Sequence, residues 1–306
     1  MRAFFGEELV KLGEEVHELV VLTGDVAKST GVGAFARAYP GRFYNIGISE
    51  QDITGIASGL ALSGKVPVVA LFAPFVMRAW EQIRSTIARG NLNVKLVGTH
   101  AGLSAADEGS SHQPLEDVAI MRVLPNMNVI VPGDRREIAE ATEEMVKVKG
   151  PVYMRLGRDE DLSFLEGEDV FTLGKAVMIR DGHELAVFSN GAMTPEVLKA
   201  AEMAGVSARI VHVPTVKPLD REAIVSAAKA AGRVVCAEEH SVIGGLGGAV
   251  AELLSSEYPV PVRRIGVQDA FGESGPGREL LRKHGLVAEC IGEVLAEVAG
   301  GKKKCS

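Results

Sequence analysis

The chain has 306 residues, of which 46% are hydrophobic and 24% are charged, and this composition fits a globular protein of about two domains. Its formal net charge of -7 excludes an overall basic field of the kind that recruits nucleic acid or an anionic membrane. Three widely spaced cysteines, Cys236, Cys290 and Cys305, form no C-x-x-C pair, which argues against a disulfide framework and against a structural zinc site.

The chain begins with charged and bulky residues at positions 1–9, in place of the long apolar core of a signal peptide. No stretch of about 18 apolar residues follows. We therefore expect a protein that is neither secreted nor membrane-spanning, and the cysteine pattern favours the reducing cytoplasm.

In the first half of the chain, short apolar runs rich in β-branched residues alternate with longer segments of helical period. This alternation is typical of βαβ units around a mostly parallel sheet. The predicted strands are 19–22, 66–72, 94–99, 129–131 and 152–155. The predicted helices are 50–62, 77–89, 115–124 and 136–147.

The alternating pattern weakens between residues 158 and 182, where an acidic segment precedes a short apolar run. We place the domain boundary there. The predicted division is a first domain at 1–165, a linker at 166–184 and a second domain at 185–306.

The second domain repeats the alternation of strands and helices. Its predicted strands are 185–188, 208–212, 234–238 and 262–265, and its predicted helices include 195–204 and 246–255. The predicted fold class is therefore α/β, with two doubly wound domains.

A carboxylate stands at a strand-to-helix junction in the first domain, within the sequence Tyr-Asn-Ile-Gly-Ile-Ser-Glu-Gln at 44–51. Ser49 as a helix cap, with Glu50 in the first turn where the helix dipole favours negative charge, would be a purely structural arrangement. The motifs that follow this pair favour a functional acid instead.

An aromatic pair, Phe72 and Phe75, follows the next predicted strand, and by itself such a pair is typical of core packing. Two histidines, His100 and His112, lie twelve residues apart in segments rich in glycine and serine. A lone histidine in such a loop usually bonds to solvent or backbone, so only a match of both histidines to a known motif would indicate a site.

In their order and spacing, these motifs resemble those of the transketolase family. Gly-Ile-Ser-Glu-Gln at 47–51 resembles the motif with the cofactor-activating glutamate, and 72–75 resembles the aromatic segment beside the cofactor. Thr-His-Ala-Gly at 99–102 and Glu-Gly-Ser-Ser-His-Gln-Pro at 108–114 match the paired histidine motifs. The resemblance covers about residues 20–284 and implies a pyrimidine-binding domain followed by a transketolase C-terminal domain.

Weaker parts of the resemblance lie at 24–29 and 155–158 and, in the second domain, at 189–191, 238–240 and 243–247. The glycine-rich segment 243–247 lacks the full G-x-G-x-x-G spacing, so we expect its glycines to serve close packing of strand and helix. Residues 238–240 could equally be a solvated strand end, and we expect the second domain to support a dimer interface.

The resemblance implies that the chain binds thiamine diphosphate. Glu50 then has a catalytic and cofactor-binding role, because the family glutamate bonds to N1′ of the aminopyrimidine in a water-poor pocket. Phe72 and Phe75 would lie against the pyrimidine ring, and Asp25 would lie near the cofactor.

The resemblance also implies a sugar-phosphate site. His112 would contact substrate oxygens and take part in catalysis. His100, Arg158 and Ser29 would anchor the phosphate, which an arginine can bind with two hydrogen bonds.

Glu108 marks a departure from the family, whose members commonly have Asp-Gly where this chain has Asp-Glu-Gly at 107–109. The carboxylate at this position is linked to recognition of substrate hydroxyls, and glutamate reaches about one methylene further. We therefore expect a sugar-phosphate substrate whose hydroxyl stereochemistry or chain length differs from that of a standard transketolase.

The family's diphosphate-binding motif, Gly-Asp-Gly, is missing from the sequence: Gly24-Asp25 precedes Val26, and Gly133-Asp134 precedes Arg135. Mg²⁺ needs near-octahedral oxygen ligands from a carboxylate and the phosphates. We therefore expect an N-terminal partner subunit to ligate Mg²⁺ and the diphosphate, in an α2β2 assembly around a dimer of this chain.

Three alternatives remain open. The chain could be the β subunit of a 2-oxo-acid dehydrogenase E1 component, although the paired histidines argue against this. It could be a split form of 1-deoxy-D-xylulose-5-phosphate synthase, which normally is one long chain. It could also be a catalytically silent structural or regulatory subunit, which would bind no cofactor even with a partner present.

Overall fold

The computed structural model describes residues 1–158, 162–165, 167 and 170–300, so parts of the predicted acidic segment and Cys305 lie outside the described residues. The strands in the described part are β1 (Leu19–Thr23), β2 (Phe43–Asn45), β3 (Val66–Phe72), β4 (Lys95–Thr99), β5 (Asn128–Ile130), β6 (Val152–Arg155), β7 (Val177–Arg180), β8 (Leu185–Ser189), β9 (Ala208–His212), β10 (Thr215–Lys217), β11 (Val234–Ser241) and β12 (Val262–Val267).

The α-helices in the same part of the chain are α1 (Arg2–Glu15), α2 (Gly33–Ala38), α3 (Glu50–Leu62), α4 (Ala73–Arg78), α5 (Trp80–Gln82), α6 (Asp117–Arg122), α7 (Arg135–Lys147), α8 (Met193–Ala204), α9 (Arg221–Ala231), α10 (Leu246–Glu257), α11 (Gly277–Lys283) and α12 (Ala288–Ala299). Shorter 3-10 helices cover Pro40–Arg42, Gly102–Glu108 and Ser110–His112, and a π-helical segment covers Ile83–Ala88.

The strands form two sheets. The first has the order β10-β5-β6-β4-β3-β1-β2, and its strands are parallel except β10, which pairs antiparallel with β5. The second has the order β12-β11-β8-β9-β7 and is parallel except for β7. The central strands β1, β4, β6 and β8 are buried along their whole length, as expected of parallel sheets covered by helices on both faces. The predicted fold class, two doubly wound α/β domains, is confirmed.

Two predicted helices are shorter than their sequence pattern. The segment 77–89 is divided between α4, α5 and the π-helical segment, where the Thr86 hydroxyl donates a hydrogen bond to the Gln82 carbonyl, a bond that tends to bend helices. The segment 115–124 is helical only as α6, because the Leu115 carbonyl accepts a hydrogen bond from the Ser241 backbone of β11 instead.

In the first domain, α1 and α2 were not predicted from the sequence. In α1, the side chains of Phe5, Leu9 and Leu12 are buried at a spacing that places them on one face of the helix. This periodicity could have been recognised, but the surrounding charged residues conceal it.

The second half of the chain contributes to the first sheet, since β10 pairs with β5 through Thr215 and Ile130. The strand β7 lies within the predicted linker. The division into 1–165, 166–184 and 185–306 stays a prediction.

A buried histidine and glutamate join the two halves of the chain. His212 Nε2 on β9 lies 3.0 Å from both carboxylate oxygens of Glu137 on α7, and both side chains are fully buried. His212 Nδ1 lies 2.7 Å from the Thr194 hydroxyl, and Glu137 accepts a hydrogen bond from the Gly133 backbone. Every polar group of this pair thus has a partner, as burial requires.

A second buried network lies nearer the carboxyl end of β6. Arg155 Nε donates to both oxygens of Asp117 at 3.0 and 3.1 Å, and the Tyr153 hydroxyl donates to Asp117 Oδ2 at 2.6 Å. Arg155 Nη2 also donates to the Glu239 carbonyl of β11 at 2.8 Å. This arginine therefore joins α6 to the second sheet.

Cys236 on β11 offers a test of how well the core around the second sheet is buried. Burial, and then the nearby Glu238 carboxylate, raise the pKa of its thiol well above the ordinary value, and only the thiolate is reactive. We expect iodoacetamide at mildly alkaline pH to modify the half-buried Cys290 in the folded protein and to modify Cys236 only after denaturation. Peptide mass spectrometry measures both, and equal modification of the two thiols in the folded protein would contradict the burial of β11.

Candidate active site

Five neighbouring strands of the first sheet end at one edge, and predicted site residues follow or end these strands. In sheet order, β6 precedes Arg158, β4 precedes His100, β3 ends in Phe72, β1 precedes Asp25 and β2 precedes Glu50. Ligands of open α/β sheets bind outside the carboxyl ends of the strands. The fold therefore gathers residues from distant parts of the sequence at the edge where a ligand is expected.

Glu50 is the first residue of α3 and is 6% exposed, so its carboxylate lies where the helix dipole stabilises negative charge. Ser49 makes no side-chain cap hydrogen bond, and capping therefore does not explain the pair. The Nε atom of Arg78, on the neighbouring α4, donates to Glu50 Oε2 at 3.2 Å. A nearly buried acid thus faces an arginine whose own side chain is 71% exposed.

The aromatic pair and the two histidines form one cluster. The rings of Phe72 and Phe75 stack with centroids 5.1 Å apart and planes 17° apart. The His100 ring lies 3.8 Å from the Phe72 ring, and His112 meets the Phe75 ring edge-on at 5.4 Å. Phe75 and Arg78 are three residues apart on α4 and so share a face, and the helix that carries one ring of this cluster therefore also contacts the Glu50 carboxylate.

His100 is 1% exposed and has a positive φ of 56°. Its Nε2 lies 3.4 Å from Arg2 Nη1, and the same nitrogen of Arg2 donates to the Ser29 carbonyl at 2.7 Å. The other ring nitrogen, Nδ1, lies 2.9 Å from the Thr99 hydroxyl. The structure thus brings His100 and Ser29 together around Arg2.

Arg158 and Glu108 form an ion pair, with Nη1 3.6 Å from Oε1 and both side chains half-buried. Arg158 also donates from Nη1 to the Ala105 carbonyl at 3.4 Å and from its backbone to the Ser104 hydroxyl at 3.2 Å. The longer carboxylate at position 108 therefore reaches the predicted phosphate-binding arginine.

Asp25 lies beside the turn that leads to Glu50. It has a positive φ of 61°, and its backbone and carboxylate exchange two hydrogen bonds with the Asn45 side chain at 2.9 and 2.6 Å. A Cβ atom on Gly24 would lie 2.8 Å from the Gly47 carbonyl oxygen, so only glycine allows this close approach.

The alternative of a solvated strand end at residues 238–240 is wrong. Glu238, Glu239 and His240 are 3%, 7% and 2% exposed. Glu238 accepts hydrogen bonds from the Leu246 and Gly247 backbones at 2.6 and 2.8 Å, so it occupies the N-terminus of α10. The glycines of 243–247 thus serve close packing, as predicted.

Glu239 faces the first domain. Burial raises the pKa of its carboxyl above the ordinary value, while Arg155 acts in the opposite direction. Its Oε1 accepts a hydrogen bond from the Ser104 backbone at 2.9 Å. This contact lies directly behind the loop that carries Glu108.

The site fits the aminopyrimidine ring of thiamine diphosphate in two respects. A ring nitrogen can share a proton with a nearly buried carboxylate, which Glu50 provides. The flat face of the ring can lie against stacked aromatic side chains, which Phe72 and Phe75 provide.

Within the described residues, no group of three or more histidine, cysteine, aspartate or glutamate side chains could hold a metal ion. Among the described helices, none combines the length and the apolar character that a membrane span requires.

Three residues of this site were missed by sequence reasoning. Asn45 belongs to the motif at 44–51 and could have been included. Arg78 lies one helical turn after Phe75 and also could have been found from its spacing. Arg2 left no signal, because its contact with His100 spans 98 positions.

Two family models match most of the chain. The transketolase pyrimidine binding domain matches residues 1–160, and the transketolase C-terminal domain matches residues 174–291.

Individual relatives match over almost the whole chain. A protein of Methanocaldococcus jannaschii, provisionally named a transketolase C-terminal section, is 43% identical over 97% of this chain and 95% of its own length. A 6-deoxy-6-sulfo-D-fructose transketolase subunit of Clostridium sp. strain MSTE9 is 39% identical over 99% of this chain and 95% of its own. A solved structure of a split gene transketolase, described as an inactive β4 tetramer, is 44% identical, covers 99% of both chains and superposes with a TM-score of 0.91. The chain therefore belongs to the transketolase family and carries that family's pyrimidine-binding and C-terminal domains.

Proposed function

We propose that this chain is the C-terminal subunit of a split transketolase, which transfers a two-carbon ketol unit from a ketose phosphate to an aldose phosphate. The observation that carries the proposal is that the nearly buried Glu50, the stacked Phe72 and Phe75 rings and two histidines all lie at the carboxyl edge of one parallel sheet. This arrangement offers an acid for a ring nitrogen, an apolar wall and polar groups for a sugar.

When bound, thiamine diphosphate would supply the nucleophilic carbon and the electron sink for cleaving the carbon–carbon bond beside a ketose carbonyl. Glu50 would hold the proton shared with N1′ of the aminopyrimidine, and its low exposure strengthens this hydrogen bond. Phe72 and Phe75 would orient the ring and exclude water from it.

The remaining residues of the cluster would bind the substrate. His112 would donate a hydrogen bond to a carbonyl or hydroxyl oxygen on which charge develops. Arg158 and His100, together with Ser29, would anchor the phosphate, and Asp25 would lie near the cofactor. Arg158 suits this role because a guanidinium binds a phosphate with two parallel hydrogen bonds.

A partner subunit completes the proposal. It would carry the Gly-Asp-Gly motif that this sequence lacks and would hold Mg²⁺ and the diphosphate, in an α2β2 complex around a dimer of this chain. The split gene relative was solved as an inactive β4 tetramer, and we propose that this chain alone is likewise inactive. A cytoplasmic location is part of the same proposal and agrees with the two thiols, Cys236 and Cys290, that form no disulfide.

The substrate class is proposed to be sugar phosphates. The relative named for 6-deoxy-6-sulfo-D-fructose indicates that subunits of this kind accept different anionic ketoses. The Glu108–Arg158 pair is the feature of this chain that would tune the choice.

The test is a two-carbon transfer assay with thiamine diphosphate, Mg²⁺, a ketose phosphate and an aldose phosphate. The chain is assayed alone and with a partner that carries the Gly-Asp-Gly motif. Activity only in the mixture supports the proposal. Reaction with pyruvate in place of the ketose phosphate would favour a synthase or dehydrogenase subunit, and failure to bind cofactor in any mixture would favour a structural subunit.

Replacing Glu108 tests the substrate proposal. In Glu108→Asp the carboxylate is one methylene shorter and loses its contact with Arg158, so we expect the ratio of kcat/KM values for two ketose phosphates of different chain length to change roughly tenfold. The matched control is Asp107→Asn at the neighbouring exposed position, which should leave the ratio unchanged. An unchanged ratio in Glu108→Asp would remove this residue from substrate selection.

A further inference from the structure

We infer that Gln113, together with the loop 268–275 of the second domain, positions the substrate-binding residues Glu108 and His112. The inference rests on the proposed function, because it takes these two residues as groups that contact the sugar. It assigns to the second domain a role at the active site that the family resemblance did not supply.

Gln113 follows His112 directly and is 3% exposed. Its Nε2 donates to two backbone carbonyls, that of Ala106 at 2.8 Å and that of Glu273 at 2.9 Å. The first carbonyl belongs to the loop that carries Glu108, and the second belongs to the loop 268–275. Both amide hydrogens are therefore used, one in each domain.

The Ala106 backbone needs this support. It has a φ of 51° and a ψ of -114° within the 3-10 segment, a strained conformation for an alanine that persists only where the surroundings hold it. Glu108 lies two residues further along the chain. Loss of the Gln113 hydrogen bond would let the backbone relax and carry Glu108 away from Arg158.

The two loops also interlock by shape. A Cβ atom on Gly272 would lie 1.8 Å from Gln113 Oε1 and 2.8 Å from its Cδ, and a Cβ atom on Gly109 would lie 2.6 Å from the Ser274 hydroxyl oxygen. Gly272 therefore leaves space for the Gln113 amide, and Ser274 lies directly behind the turn between Glu108 and His112.

The second domain holds the same loop at two further points. The Ser104 backbone donates to Glu239 Oε1 at 2.9 Å, and the Ser241 backbone donates to the Leu115 carbonyl at 2.7 Å. Residues 104–115 are thus attached to the second domain near both ends and at Gln113. A shift of the loop 268–275 would therefore also displace Glu108 and His112.

Gly272→Ala tests this inference from the second domain, away from the substrate. The added methyl group displaces the Gln113 amide, and we expect kcat/KM for the ketose phosphate to fall about 10- to 100-fold, mainly through KM, because small misplacements of binding groups have effects of this size. Gln113→Met, which keeps the length of the side chain and removes both donors, should have the same effect. Amide hydrogen exchange of residues 102–113 in the isolated chain should accelerate about tenfold in both variants.

The matched control is Gly275→Ala in the same loop, where the nearest atom to a Cβ would be a Leu280 side-chain carbon at an ordinary 3.4 Å. It should leave both KM and exchange unchanged. In a Gln113→Ala background, Gly272→Ala should add nothing, because the group it displaces is gone.

Exchange and KM in Gly272→Ala that equal those of Gly275→Ala would overturn the inference. A fall in kcat/KM that comes entirely from kcat, with KM unchanged, would also overturn the inference, because the loop would then not act through substrate binding. If the wild-type complex transfers no two-carbon unit, the proposed function fails, and the exchange measurement alone decides whether the second domain holds the loop.

Discussion

Glu50→Gln is expected to lower kcat for two-carbon transfer by at least about 100-fold in the complex with the partner subunit. The amide has nearly the same shape as the carboxylate but cannot take up the proton shared with the pyrimidine nitrogen, and acid–base groups of this kind contribute about 10²- to 10⁴-fold. The measurement is the initial rate at saturating donor and acceptor, with thiamine diphosphate and Mg²⁺ present.

The matched control is Asp52→Asn, which removes one negative charge from the same first turn of α3 at an exposed position. Its rate should stay near that of the wild type, and the thermal midpoints of the two variants should be similar. If the Glu50→Gln complex keeps more than about a tenth of the wild-type rate, the loss is smaller than general acid–base groups contribute. This result would exclude Glu50 as the activating acid.

Asp117→Asn is expected to destabilise the chain by about 3–5 kcal/mol, because it removes the charge that balances the buried Arg155. Arg155 and Asp117 are 6% and 0% exposed as side chains, so water cannot replace the lost partner. The Tyr153 hydroxyl would also keep only a weaker acceptor. The free energy of unfolding in urea, measured for variant and wild type, gives the difference.

The control for this experiment is Glu257→Gln, which breaks the exposed ion pair between Arg221 and Glu257. Surface ion pairs contribute about 0–1 kcal/mol, so this variant should unfold close to the wild type. If Asp117→Asn lowers the free energy of unfolding as little as the control does, water or a rearranged side chain has replaced Asp117 as the partner of Arg155.

Local sequence signals were sufficient for the residues that lie on motifs. Phe72 ends a predicted strand, His100 directly follows one, and Glu50 begins a predicted helix at a strand-to-helix junction; parallel strands bring such positions to one edge. Their gathering at that edge therefore follows from the strand pattern. Their roles stay predictions.

Signals of this kind failed where a distant contact competes with a local preference. The helix predicted to begin at Leu115 begins at Asp117 instead, because the Leu115 carbonyl bonds to the Ser241 backbone of the second sheet. The Glu239 carboxylate is buried against the first domain, although from the sequence it could equally have been part of a solvated strand end. In both cases the partner lies across the domain interface. The Leu115 carbonyl would otherwise bond within a helix, and the Glu239 carboxylate would otherwise bond to water.

By itself, the sequence determined the α/β class with two doubly wound domains and the order of the family motifs, because strand and helix periods and short motifs are local properties of the chain. Only the tertiary structure decided that Arg78 faces Glu50, that Arg2 lies between His100 and Ser29, and that Gln113 joins the loop that carries Glu108 to the second domain. These contacts join residues 27 to 160 positions apart, and their geometry depends on how sheets and helices pack, which no local period encodes.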